Sequence, residues 1–239
     1  MKIVKIEGLS KSFLSGGIET RVLHNVSFSV EEGSFTSIMG PSGSGKSTLM
    51  NILGCLDRDW TGSYWLNGSD ASMFSPDQAA MIRGREIGFV FQSFCLIPKL
   101  TAVENVETRL MYLGIPRRER TEIAVDMLKK VGLGHRLTHR PGQLSGGQCQ
   151  RVAIARAMAA KPGLILADEP TGNLDSRTGA EILELFQQVN EEGTTIILIT
   201  HDGAIAKAAD RTIHIADGQI TGEEHNGTDR IHGHGGQAV

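Results

Sequence analysis

Gly40-Pro41-Ser42-Gly43-Ser44-Gly45-Lys46-Ser47 places two outer glycines, a lysine and a hydroxyl at the spacing G-x-x-x-x-G-K-[ST]. Glycines at these positions let backbone N–H groups converge on phosphate oxygens, and a helix opening here adds the positive end of its dipole. Lys46 can reach the outer phosphates, the Ser47 hydroxyl can ligate Mg²⁺, and Thr48 is placed to touch an inner phosphate. The plainer alternative is a Gly/Ser-rich turn that caps a helix. The short apolar run at 34–39 before the loop, and helical periodicity from Lys46 to Cys55 after it, supply the strand–loop–helix setting that phosphate binding needs.

A second group sits far downstream. Leu164-Ile165-Leu166-Ala167 ends in Asp168-Glu169. A buried parallel strand delivers its last side chains to the carboxyl edge of the sheet, where ligands bind. Asp168 can hold Mg²⁺, and Glu169 can polarise a water that attacks a γ-phosphate. Taken alone, the two acids serve equally well as caps of a following helix. A phosphate-bound Mg²⁺ needs a carboxylate, and this pair is the evident supplier. Leu144-Ser145-Gly146-Gly147-Gln148 precedes a helical stretch and offers another hydroxyl and more glycine N–H groups at a helix N-terminus. One nucleotide does not need two such sites, so the second suits a nucleotide held by another molecule. A simple N-cap explains Ser145 and the glycines but not the whole string. Gln92 and His201 each follow an apolar strand-like run. By type alone they read as a surface amide and a capped turn residue.

Around these groups the elements are those of an α/β chain. Alternation at 2–7 and 22–30 predicts antiparallel strands. Further strands are expected at 63–66, 87–91, 163–167, 195–200 and 211–215. Helices are expected at 76–85, 176–191 and near 203–209. From about 94 to 160 there is little strand signal. Thr101 to Glu104 reads as a capping box, and helices are expected after it, at 117–130 and after Ser145, forming an inserted helical lobe. The reading is one domain over 1–222 with a mostly parallel sheet, an antiparallel N-terminal β region and this lobe. Residues 223–239 are rich in Gly and His and read as a disordered tail. Its His225, His232 and His234 fit a solvated tail better than a metal site.

The chain has 239 residues and a net charge of −3, which gives no reason to expect nucleic acid as a partner. Its three cysteines, Cys55, Cys95 and Cys149, form no metal spacing and suit a reducing compartment. The N-terminus lacks the apolar core of a signal peptide, and Ile196 to Ile199 is too short to span a bilayer. Arg117, Arg118 and Arg120 read as a solvated helix start.

The ordered set resembles the ATPase subunits of ABC transporters over about 1–222. The residues that carry the resemblance are Phe13, the loop at 40–47, Gln92, the string at 144–148, Asp168 with Glu169, Asn173-Leu174-Asp175 and His201. The strings at 166–175 and 96–106, and a short insertion at 15–21, are most similar to the macrolide-efflux and lipoprotein-release branch. That branch also has relatives that export antimicrobial peptides and one that acts in cell division. The resemblance implies ATP hydrolysis with Mg²⁺ held by Ser47, Gln92 and Asp168. It makes Glu169 the water-activating group and has His201 assist it at the γ-phosphate. Phe13 would stack on adenine. Two copies would pair head to tail, with Ser145, Gly146, Gly147, Gln148 and Asp175 serving the partner's nucleotide. A separate integral-membrane permease would hold the chain at the cytoplasmic face of the membrane. Cys149, where a polar residue is more usual, departs from the pattern, and Phe13 lacks the hydroxyl of the more frequent tyrosine. Two other readings stand beside a transporter: a mechanical ATPase of the cell envelope, and a soluble ATPase acting on ribosomes or DNA. The second fits poorly, because such proteins usually carry two ATPase halves or long insertions.

Overall fold

The structure, a computed structural model, describes residues 1–227. β1 (Lys2–Ser15) and β2 (Ile18–Glu31) form a long antiparallel hairpin. β3 (Phe35–Met39) runs into the glycine loop and α1 (Lys46–Leu53). β4 (Thr61–Leu66) and β5 (Ser69–Asp70) follow, then α2 (Pro76–Arg85) and β6 (Ile87–Phe91). Between β6 and the next strand lie α3 (Ala102–Tyr112), α4 (Arg117–Lys130) and α5 (Gly146–Met158). The chain continues through β7 (Leu164–Asp168), α6 (Ser176–Glu191), β8 (Thr195–Thr200), α7 (Gly203–Ala206), β9 (Arg211–Ala216) and β10 (Gln219–His225).

Two sheets result. The antiparallel one has the order β2-β1-β4-β5, and the six-stranded one the order β10-β9-β3-β8-β7-β6. In the latter all pairings are parallel except β9 with β10. This is the expected mostly parallel sheet beside an antiparallel N-terminal region. Both faces of the parallel sheet are covered, which explains its continuous apolar runs. Leu164, Leu166, Ile197, Ile199 and Ile213 face a core shared with the antiparallel sheet and α1. Ile165, Ala167, Ile196 and Leu198 face the other core, shared with α3, α4, α5 and α6.

Three local expectations change. The strands expected at 2–7 and 22–30 run on through the short insertion at 15–21: the hairpin pairs through Leu14↔Glu19 and Ser15↔Ile18 around Gly16 and Gly17. The tip is exposed on both faces, so it carries no apolar alternation to read. α7 stops at Ala206 rather than near 209. β10 runs through Glu223, Glu224 and His225, which composition assigns to the tail. Arg211 meets Glu223 at 2.6 Å and His214 Nε2 lies 3.3 Å from Glu224, so carboxylates that look solvated have partners across the two strands. The rest of the expected tail, with His232 and His234, lies outside the described residues.

Candidate active site

The glycine loop is shaped by close approaches. Gly40 packs on β9, where a Cβ would lie 2.0 Å from the Ile215 carbonyl oxygen. Gly45, at φ +96°, is the N-cap of α1, and a Cβ there would meet Leu23 at 2.7 Å. A side chain is thus excluded twice over, by backbone conformation and by space. No side chain caps α1, so its first N–H groups stay directed to the loop. Lys46 is buried and its ammonium donates to the Gly40 and Pro41 carbonyls at 2.8 and 2.7 Å. Ser42, Gly43, Gly45, Lys46, Ser47 and Thr48 border a cleft of about 580 Å³. Gly40, Pro41 and Ser44 do not border it; Pro41 is exposed, and the Ser44 hydroxyl is buried without a hydrogen-bond partner.

Gln92, Asp168, Glu169 and His201 border the same cleft, each at the carboxyl end of β6, β7 or β8. Glu169 does not continue β7. Its φ of +45° turns it out of the strand, while its N–H still donates to the Ile199 carbonyl at 2.9 Å. That turn brings Glu169 Oε1 to 2.6 Å from His201 Nδ1, and Oε2 accepts a bond from the Thr200 hydroxyl at 3.3 Å. Glu169 is 15% exposed and His201 61%, so the imidazole covers the carboxylate from the solvent side. Burial, and then the neighbouring Glu169 charge, raise the Asp168 carboxyl above the usual aspartate range, while Lys46 pulls it down. Gln92 Nε2 donates to Asn173 Oδ1 at 3.3 Å, and Asn173 Nδ2 donates to the Gln92 carbonyl at 3.0 Å. The hydroxyl of Ser47, the carboxylate of Asp168 and the amide oxygen of Gln92 are all hard oxygen donors on one cleft. Together with the crowding of the two acids, this suits a small divalent cation such as Mg²⁺.

The other sequence candidates lie elsewhere. Ser145 caps α5, accepting from the Gln148 N–H at 3.3 Å, while Gln148 Oε1 accepts from the Ser145 N–H at 3.0 Å. No residue of 144–148 borders the cleft. Ser145 and Gly146 are exposed, but Gly147 is buried, and a Cβ on it would strike Thr178 at 2.3 Å. Packing on α6 is therefore a sufficient reason for that glycine. Asp175 caps α6; its bonds from the Thr178 hydroxyl and N–H, at 2.7 and 3.0 Å, hold its carboxyl below the usual range. Phe13 does not border the cleft. Its ring lies on the hairpin, 4.9 Å from the Lys11 ammonium, which Asp57 and Asp59 also hold. Val22, which borders the cleft, carries no sequence signal; Thr200 and Asn173 were visible only as neighbours of His201 and Asp175.

A phosphate loop, an acidic strand end and a sheet-edge histidine on one cleft define a nucleotide hydrolase of the phosphate-loop class. The model of the family described as "ABC transporter" matches residues 23–172. The chain belongs to that family and is an ATPase of it. It is 50% identical over 226 residues to an ABC transporter ATP-binding protein of Thermotoga maritima, covering 95% of this chain and 97% of that one. It is 50% identical to the macrolide export ATP-binding/permease protein MacB of Brucella melitensis, covering 91% of this chain but 34% of MacB. Among solved structures, the ATP-binding cassette MJ0796, a dimer bound to ADP and Pi in a post-hydrolysis state, aligns with a TM-score of 0.86. Identity there is 44%, over 93% of this chain and 98% of that one.

Proposed function

We propose that two copies of this chain close head to tail around two ATP molecules and pass the motion to a separate integral-membrane permease. The complex exports a substrate or extracts it from the membrane, with this chain at the cytoplasmic face. The observation that carries the reading is the separation of two phosphate-type sites. The cleft holds the hydrolytic groups, whereas the exposed Ser145 at the start of α5 lies off that cleft with no phosphate of its own chain to serve. A second copy supplies one. The dimeric cassette MJ0796 supports the pairing, and the MacB relatives support export.

In the closed pair the loop N–H groups and Lys46 stabilise phosphate charge, and Thr48 adds a hydroxyl at an inner phosphate. Glu169 accepts a hydrogen bond from the attacking water and orients it in line. His201 fixes Glu169 through Nδ1, which leaves Nε2 for a γ-phosphate oxygen. Ser47, Gln92 and Asp168 would hold Mg²⁺, which when bound neutralises charge on the phosphate oxygens. Phe13 offers a ring face to adenine if Lys11 keeps the other.

An apolar groove of about 840 Å³ between α2, β6 and α3 supports a permease contact. Met81, Phe89, Phe91, Tyr112 and Leu113 line it, and Tyr112 is 84% exposed. A surface of this kind suits an amphipathic segment of a partner. Among the described residues no helix is long and apolar enough to cross a membrane, so the bilayer would be reached through that partner.

The test is Glu169→Gln in size-exclusion chromatography with Mg-ATP, beside hydrolysis by the parent chain. The expected result is an ATP-dependent dimer and a loss of hydrolysis of about 100-fold or more. Hydrolysis at the parent rate would overturn the role of Glu169. Loss of hydrolysis without a dimer would overturn self-sufficient pairing and leave closure dependent on the permease.

A further inference from the structure

Two consecutive non-glycine residues just after Gln92 stand in the left-handed region, Phe94 at φ +61° and Cys95 at φ +47°. Side chains disfavour this conformation, and it persists only where surroundings hold it. The local hydrogen bonds are few: the Phe94 N–H donates to the Phe91 carbonyl at 3.1 Å, and the Cys95 N–H to the Ser93 carbonyl at 2.7 Å. The stronger restraint comes from α5. Arg156 Nη1 donates to the Cys95 carbonyl at 2.6 Å and Nη2 to the Phe94 carbonyl at 3.0 Å. One guanidinium thus grips both left-handed residues. It is not engaged elsewhere as an ion pair among the described residues, so nothing competes for the fork.

We infer that Arg156 is a positioning residue for the ATPase reaction, holding the main chain at Phe94 and Cys95 so that Gln92 keeps its place on the cleft. The inference rests on the reading that Gln92 serves the Mg²⁺ site. Arg156 does not border the cleft and acts only through the main chain it binds. The fork needs two donors in one plane, which a lysine ammonium does not provide. The same clamp faces the apolar groove, where Cys95 and Arg156 both contribute to the lining. Phe94 carries the effect toward Gly146 as well: a Cβ on that glycine would lie 3.7 Å from the Phe94 ring.

The experiment uses the full chain and measures ATP hydrolysis against Mg²⁺ concentration, with ATP binding in EDTA measured separately. Arg156→Lys and Arg156→Gln are each expected to lower kcat about tenfold and to raise the half-saturating Mg²⁺ about tenfold, with Mg²⁺-free ATP binding changed by less than about twofold. Gln92→Ala should shift the Mg²⁺ response in the same direction. Adding F94G and C95G to Arg156→Lys supplies residues that accept positive φ and should return the Mg²⁺ response to within about threefold of the parent. An unshifted Mg²⁺ response in Arg156→Lys, with Gln92→Ala shifted, overturns the role of Arg156. An unshifted Gln92→Ala overturns the reading of Gln92 itself, a separate failure. Equal losses of Mg²⁺ response and of Mg²⁺-free ATP binding would make Arg156 a general fold support and also overturn the inference. If both arginine variants are insoluble, the glycine pair in the parent chain decides. A raised thermal midpoint supports the clamp on strained backbone, and a lowered one refutes it.

Discussion

Asn105→Ala tests how the segment after Gln92 is tied to the helical lobe. Asn105, on α3, is fully buried. Its Oδ1 accepts from the Ile97 N–H at 2.8 Å, and its Nδ2 donates to the Ile97, Leu100 and Thr101 carbonyls at 3.2, 3.2 and 3.0 Å. These bonds do not count equally. The Thr101 carbonyl also accepts from the Asn105 N–H, and the Ile97 carbonyl from the Leu100 N–H, so both keep a partner after truncation. The Ile97 N–H and the Leu100 carbonyl lose theirs. Two orphaned, part-buried backbone groups at about 1–3 kcal/mol each, with some relief from water, give a loss of about 3 kcal/mol. In urea, a slope of about 3 kcal/mol/M for a chain of this size puts the midpoint about 1 M lower. Asn105→Asp separates acceptor from donor. Its carboxylate would face carbonyl oxygens in a buried site, which raises its folded pKa above the unfolded value. Its stability is then retained below the unfolded aspartate pKa and lost as pH rises through the raised one. A fall of less than about 1 kcal/mol in Asn105→Ala would show that water replaces the amide freely and would refute the accounting by orphaned groups.

His201→Ala removes the imidazole from Glu169 Oε1 while leaving the Thr200 hydroxyl on Oε2. Hydrolysis should fall by about 100-fold with ATP binding retained, measured by steady-state turnover and equilibrium binding; a change within about threefold would leave His201 without a role in the chemical step. Asp168→Asn should unfold at a higher temperature than the parent near neutral pH in the absence of nucleotide and Mg²⁺. The raised Asp168 pKa means that the native chain binds the proton more tightly than the unfolded one. The stabilising share is full below the ordinary pKa of 3.8 and is lost as pH climbs through the raised value. The advantage of the variant therefore shrinks on acidification, and equal melting curves across pH 4 to 8 would refute the electrostatic cause.

Groups defined by spacing and by strand ends were legible in the sequence. The glycine loop, the acidic pair and the Thr101 capping box each depend on neighbours a few residues apart, and they fall where expected, whereas Ser145, read as an anion site or a simple N-cap, closes a full capping box with Gln148. What depended on distant partners was not legible. Glu169 reads as the next residue of a strand, yet it leaves β7 at positive φ because His201 and Thr200, some thirty residues away, take its carboxylate. Glu223 and Glu224 read as tail until Arg211 and His214 reach them diagonally across the β9–β10 pairing. Gly147 reads as a phosphate-binding glycine, and only the packing of α5 on α6 shows why a side chain there is excluded. The groove and its Arg156 clamp leave no motif, since they arise from groups contributed by α2, β6, α3 and α5 together.

The sheet order also bears on which group of the cleft a partner would reach first on the proposed reading. Register aligns the strand ends at one height: Phe91 lies opposite Asp168, Asp168 opposite Ile199, and Thr200 opposite Met39. Gln92, Glu169, His201 and the glycine loop follow from those four ends. A one-residue slip in any pairing would turn its side chains to the opposite face, so the buried cores hold the register. Three of the strands, β3, β8 and β7, are flanked on both sides within the sheet, whereas β6 is its edge. The loop, Glu169 and His201 are therefore carried on interior strands, and Gln92 on the one strand that also borders the apolar groove. A partner seated in that groove would meet β6 and the Arg156 clamp on the segment that follows Gln92, and none of the cleft-lining groups borders the groove. On the proposed reading, coupling through Gln92 would need the displacement of one edge segment and would leave the phosphate loop and the Glu169–His201 pair in place. On this topology, a permease segment should change the Mg²⁺ response of hydrolysis more than it changes Mg²⁺-free ATP binding.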